Sequence, residues 1–151
     1  MNKKRVIFFI MMIAMMMLIF FFSSQNGEES SAMSSGVFLR LKENFNVNID
    51  IGVIRKLAHL TEYLFLGVSA ILYVGTFKNS DEKSMAIATA ICVLYAVSDE
   101  FHQYFIANRD GRFGDVLIDS TGAKLGITIT MLILLIMRRK NDKKITIWHL
   151  N

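Results

Sequence analysis

Proline is missing altogether from the 151 residues, and cysteine occurs once. No internal repeat and no low-complexity tract is present either, so nothing marks a long linker or a second unit, and residues 1–151 read as a single domain. The lone Cys92 lies inside an apolar run, which rules out an intrachain disulfide and a thiolate metal cluster and leaves it the role of a small buried hydrophobe. Charge is sparse in its own way. The formal net charge is only +4, and the lysines and arginines gather in short clusters beside apolar runs rather than across an aromatic-studded surface, which argues against nucleic acid as a partner. What the chain does have is apolar bulk: 53% of its residues are hydrophobic and its mean hydropathy is +0.41. That is too apolar for an ordinary soluble domain, and the length suits about four membrane helices of ~20 residues each.

Four apolar segments fit this count, at about 6–22, 57–77, 85–106 and 116–137. The first, VIFFIMMIAMMMLIFFF, follows MNKKR and carries no charge. It is long for the core of a signal peptide, and FFFSSQNG after it has no A-x-A-like cleavage pair, so a retained signal anchor is expected. Its methionines read as lipid-facing bulk rather than metal ligands. In the polar stretch that follows, Phe38, Leu41 and Phe45 recur at helical spacing against Arg40, Lys42 and Glu43, the pattern of a short helix lying on the membrane surface, with a solvated loop carrying scattered apolar residues as the other reading. The other three segments are uninterrupted only over Tyr63 to Phe77, Met85 to Val97 and Leu125 to Met137. Such runs cover ~20 Å of a hydrocarbon layer ~30 Å thick, so each must borrow polar neighbours to cross. With a cytoplasmic N-terminus, ten basic residues, from MNKKR, the 78–83 turn and the tail RRKNDKK, fall inside, against six outside: Arg40, Lys42, Arg55, Lys56, Arg109 and Arg112. The expected architecture is an all-α, integral-membrane four-helix bundle with both termini cytoplasmic.

On this topology the polar ends of three helices meet at the outer side: RKLAHLTEY opens the second, SDEFHQYF closes the third and RFGDVLID opens the fourth. Ionisable side chains facing lipid cost about 2.5–3.5 kcal/mol each on the lenient scale, so they should face one another or a wet cleft. Arg55, His59 and Glu62 share one helical face, with Tyr63 beside them; Tyr95, Asp99, His102 and Gln103 share another; Asp115 and Asp119 are four apart. Histidines and crowded carboxylates suit general acid–base work. The set His59, Glu62, Asp99, His102 and Asp115 equally suits a divalent metal, Zn, Mn or Mg. A third reading is purely structural, with Arg55 and Arg112 neutralising carboxylates so that the helices pack. In NRDGRFGD the Asp110-Gly111 turn signal sets Arg109 and Arg112 on either side of a bend, where both could fork onto a phosphate or carboxylate or bind lipid headgroups. GAKLG, Gly122 to Gly126, is a small-xxx-small pattern for close helix approach. Lys124 lies ~13 Å along the helix from Asp115. It would snorkel, pair with an inward carboxylate, or line a path with Asp119, which would suit a proton- or ion-coupled transporter.

The ordered set RKLAHLTEYLFLG, YAVSDEFHQYF and NRDGRFGDVLIDSTGAKLG, preceded by SSQNGEESSAMSSG, resembles the VanZ-like family of small bacterial membrane proteins, named for a teicoplanin resistance protein. The resemblance covers about Ser23 to Gly126 and places the family's characteristic residues at Lys56, His59, Glu62 and Tyr63, at Asp99, Glu100, His102 and Gln103, and at Arg109, Asp115, Asp119 and Gly122. Two departures stand out: Ala107-Asn108 where the family commonly has a Pro-Gly turn, and a lysine at position 124. Together with the residue chemistry, the resemblance implies a multi-pass protein of the bacterial plasma membrane with an outward-facing polar pocket. That pocket would bind or modify an anionic envelope component, such as a lipid-linked glycan, in a setting of lipoglycopeptide resistance. Catalytic candidates are His59, Glu62, Asp99, Glu100, His102 and Asp115. Ligand-binding candidates are Lys56, Tyr63, Gln103, Arg109, Arg112 and Asp119. A nonenzymatic binding or shielding protein is the alternative, and transport a further one.

Overall fold

The computed structural model describes residues 3–45, 50–109 and 111–148, the side chains of 41, 42, 45 and 141–148 excepted. Within them the chain is all-helical: α1 (Lys3–Ser23), α2 (Gly27–Phe45), α3 (Ile51–Val74), α4 (Asp81–Gln103) and α5 (Phe113–Trp148). Four stretches are long and apolar enough to cross a membrane: α1, α3, α4 and the Phe113–Lys140 part of α5. The chain is a multi-pass membrane protein built as a four-helix bundle. Large apolar side chains such as Ile10, Phe20, Phe21, Leu94, Leu132 and Ile136 lie exposed on its outside, as a lipid-facing surface requires.

α3 and α4 start six and four residues ahead of the apolar segments. The reason is capping: Asp50 accepts a hydrogen bond from the Gly52 N–H at 2.8 Å, and Ser80 accepts one from Lys83 N–H at 3.3 Å. Each cap satisfies an orphan amide and starts the helix in polar sequence. At ~1.5 Å per residue, the 24-residue α3 and 23-residue α4 reach about 35 Å and can cross.

α2 departs from the short surface helix expected near Phe38. It begins at Gly27, inside the serine-rich stretch, and its buried side chains among the described residues are Ser30 and Ser34, one turn apart and turned inward beside α3. Serine at four-residue spacing is too weakly apolar to register as a helical stripe, although Asn26 and Glu29 form a reciprocal cap at its start (Glu29 N–H to Asn26 Oδ1, 2.9 Å; Asn26 N–H to Glu29 Oε2, 3.3 Å).

α3 is the central element and packs against all four others. Its seam with α5 is the tightest: a Cβ at Gly67 would overlap the Ala123 carbonyl, one at Gly122 the Leu60 carbonyl, and one at Gly126 the Leu64 carbonyl. The two backbones therefore touch directly, as small residues permit within a membrane. At one end of the bundle Arg5 donates to Thr76 Oγ1 (3.2 Å) and Thr76 O (3.1 Å) and lies over the Phe77 ring, while Arg138 pairs with Asp81 at 2.9 Å. The start of α1 and the far part of the α5 span thus share one end, as four crossings demand. The polar residues gather at the other.

Candidate functional site

Because α1 and α4 run up to that end while α3 and α5 run down from it, the last turn of the first pair faces the first turns of the second. Ser23 closes α1 and is fully buried, an unusual place for a hydroxyl after so apolar a helix. Its Oγ donates to Asp99 Oδ2 at 2.8 Å. Gln103, one turn beyond Asp99, donates from Nε2 to the same oxygen at 3.1 Å and to Ser23 Oγ at 3.3 Å. Its Oε1 accepts from Arg109 at 3.0 Å. Arg109 also donates to the carbonyls of Ser23 (3.1 Å) and Phe22 (3.2 Å), two of the orphan acceptors at the end of α1. Burial, and then the neighbouring Arg55 charge, lower the Arg109 pKa from its ordinary value.

His59 and Tyr63 of α3 face Asp119 of α5 across the glycine seam. Tyr63 and Asp119 have no exposure at all and Asp99 only 3%. His59 Nδ1 stands 3.8 Å from Asp119 Oδ1, too far for a hydrogen bond. One nitrogen or oxygen from each of His59, Asp99 and Asp119 falls within 4.8 Å of the others. Several buried atoms in this cluster have no hydrogen-bond partner among the described residues: His59 Nδ1, Tyr63 Oη, Asp99 Oδ1 and both Asp119 oxygens.

Against the His59 face lies a cavity of about 210 Å³ lined by Arg55, His59, Glu62 and Arg109, by Gln25, Ser30 and Ser34, and by apolar residues including Phe22 and Ile54. Gln25 Oε1 is buried there without a partner among the described residues. Phe22, Val37, Ile54, Ala58 and Glu62 also border a second hollow, an apolar trough of about 580 Å³ that continues along Met15, Leu18, Leu57 and Phe65.

The structure brings the candidate residues together selectively. Arg55, His59 and Glu62 share the cavity as their spacing predicts, and Asp99, Gln103, Asp119 and Tyr63 meet inside the bundle. The five-residue metal set does not assemble: Asp119 joins His59 and Asp99, while Glu62, His102 and Asp115 stay outside that cluster. His102 turns to α1, stacking on Phe20 at 4.8 Å with Nε2 3.2 Å from Ser24 Oγ. Glu100 points into the following loop and accepts the Arg112 backbone N–H at 2.9 Å. Lys56 is exposed, and Asp115, half-buried in the first turn of α5, does not line the cavity.

The two loop arginines do not form a common fork. Arg109 turns in and Arg112 out, so Arg55 is the second guanidinium at the cavity. Asp110 of the expected turn lies outside the described residues. Asn108 adopts a left-handed φ of 59°, a conformation that asparagine tolerates. Lys124 is exposed, whereas Asp119 is fully buried, so the two do not line one path. Ser23 and the α2 serines are the residues that sequence reasoning missed. No signal marks Ser23 apart from its place at the boundary of the first apolar run.

A family model described as VanZ/LLP1 matches residues 8–135, a stretch that contains every member of the cluster and nearly the whole bundle. No curated protein and no solved structure matches the chain.

Proposed function

The chain belongs to the VanZ/LLP1 family, and we propose that it binds an anionic, lipid-linked component of the bacterial cell envelope at the outer face of the plasma membrane. The observation that carries this reading is the pairing of two adjoining hollows. One is a cavity of about 210 Å³ with Arg55, Arg109 and inward serines among apolar residues on its walls; the other is an apolar trough of about 580 Å³ sharing five of its residues. The first is below the usual ~300–1,000 Å³ of a pocket for a whole small molecule, and suits a phosphate-bearing headgroup. The second suits the chain attached to it. Arg55 supplies donors for a phosphate, and Arg109, hydrogen-bonded to Gln103 and the end of α1, adds positive charge beside it. A bulky lipoglycopeptide does not fit such a cavity, so a contribution to teicoplanin resistance would act through the envelope component rather than through the drug. The outward orientation rests on the basic residues at the opposite end of the bundle.

Holding and modifying the headgroup are separable. If the bound component is modified, His59 and Glu62, which border the cavity, are the acid–base pair within reach. Mass spectrometry of lipids that co-purify with the chain tests the binding. Wild type is expected to be enriched in an anionic lipid relative to the bulk membrane, and Arg55→Gln to lose most of that enrichment with its helix content unchanged. A lipid profile identical to the bulk membrane in wild type would refute the reading.

A further inference from the structure

We propose that His59, Asp99 and Asp119 bind one divalent cation inside the bundle, immediately behind the cavity wall. The inference goes beyond the envelope-ligand reading and does not depend on it. It stands on two independent observations.

The first is convergence. Three elements, α3, α4 and α5, each deliver one ligating atom to a region in which all three lie within 4.8 Å of one another. Three ligand atoms at ~2.0–2.2 Å from one ion stand ~3.0–3.8 Å apart, so the widest pair must close by about 1 Å to complete the site. His59 Nδ1 and Asp119 Oδ1, at 3.8 Å, are already in range.

The second observation is the pattern of satisfied and unsatisfied atoms. Asp99 and Asp119 are 3% and 0% exposed, and Asp119 has no hydrogen-bond donor on either oxygen. Asp99 is held differently. Ser23 and Gln103 both donate to Oδ2, and Oδ1 is left bare. Two donors on one oxygen fix the carboxylate and aim the other, which is how outer residues orient a metal ligand. Tyr63 Oη, four residues beyond His59 on α3, is also buried and bare. Buried polar atoms are rarely left without partners, and two buried carboxylates without a cation are costly. Arg109 donates its terminal nitrogens to Gln103 and the end of α1 rather than to either carboxylate, and its single positive charge cannot balance both. A divalent ion balances two carboxylates and takes the imidazole as a third, neutral ligand. The imidazole favours Zn²⁺ over Mg²⁺ or Ca²⁺, and the two carboxylates also suit Mn²⁺.

The test uses full-length protein purified in detergent without a polyhistidine tag. Metal content by mass spectrometry and calorimetric titration with ZnCl2 and MnCl2 are the readouts. Wild type is expected to hold about one ion per chain and to melt at a higher temperature with the ion than after chelation. His59→Ala and Asp119→Asn are each expected to weaken binding at least tenfold, whereas His102→Ala binds as wild type does. The wild-type titration keeps the proposal falsifiable if a variant fails to fold. No binding of either ion by folded wild type overturns it and leaves a protonated carboxylate as the way Asp119 is neutralised. Unchanged affinity in folded Asp119→Asn overturns it equally.

Discussion

The direct backbone contact between α3 and α5 can be tested by adding single carbon atoms. At Gly122 and Gly126 a Cβ would fall within the van der Waals envelope of the Leu60 and Leu64 carbonyls, and the obstacle is main chain, which cannot rotate aside. An ordinary C···O contact needs ~3.3–3.6 Å, so the helices must separate by about 1 Å. A gap of 0.5–1 Å forfeits a quarter to a half of the dispersion attraction of the atoms that face it, and overpacking of this kind costs about 1–3 kcal/mol. Gly122→Ala and Gly126→Ala are each expected to destabilise by that amount. The double variant should cost clearly less than the sum, because one separation relieves both clashes. Gly36→Ala and Gly114→Ala are the controls: an added Cβ meets nothing within 4 Å at either site. There alanine should be neutral or stabilise by up to about 1 kcal/mol through helix propensity. Denaturant titration in detergent, followed by circular dichroism, reads all five proteins against wild type. If Gly122→Ala and Gly126→Ala match the controls, or if their effects simply add, the helices are not in rigid contact and the argument is wrong. The site gives a second readout, because Gly122 sits one turn beyond Asp119 and its partner Leu60 is next to His59. Separation of the helices therefore also weakens any ion held between them.

Two further outcomes follow from single side chains. Asn108→Val, which places a β-branched residue at φ 59°, should destabilise by about 1–3 kcal/mol, while Asn108→Gly stays near wild type; thermal unfolding of the three proteins checks the order. Ser23→Ala removes a buried donor from Asp99 and should cost about 1–3 kcal/mol in the same measurement, with Ser24→Ala, at an exposed position, close to neutral.

The four crossings and the meeting of polar helix ends were legible in the chain because both rest on hydropathy and helical spacing, which are local. The i, i+4, i+7 set Arg55, His59 and Glu62 needed no tertiary knowledge to be placed on one face. What spacing could not supply was how far each helix rotates about its own axis. That rotation is settled by the glycine seam, which turns Asp119 fully inward and leaves Asp115, one turn away, at the rim. It likewise separates Arg109 from Arg112, which are neighbours in the loop but point to opposite sides once Arg109 caps α1. α2 was underread for a different reason. Its inward stripe is serine, whose hydroxyls satisfy themselves on the preceding turn, as Ser34 does on the Ser30 carbonyl at 3.0 Å. Such a face carries no apolar signature.

The bonds from Ser23 to Asp99 and from the end of α1 to Arg109 join residues 76 and 86 positions apart. Ribosomes add ~5–20 residues per second, so α1 waits in the bilayer for roughly 4–17 s before its partners are made. Its membrane-crossing run from Val6 to Phe22 carries no ionisable residue, so it can wait there alone at little cost. The carboxylates emerge later, on helices that lipid would accept only reluctantly, and by then a hydroxyl and the last carbonyls of α1 are already waiting at the right depth. The order in which the chain is written thus spares its most polar helices a lonely passage into the membrane.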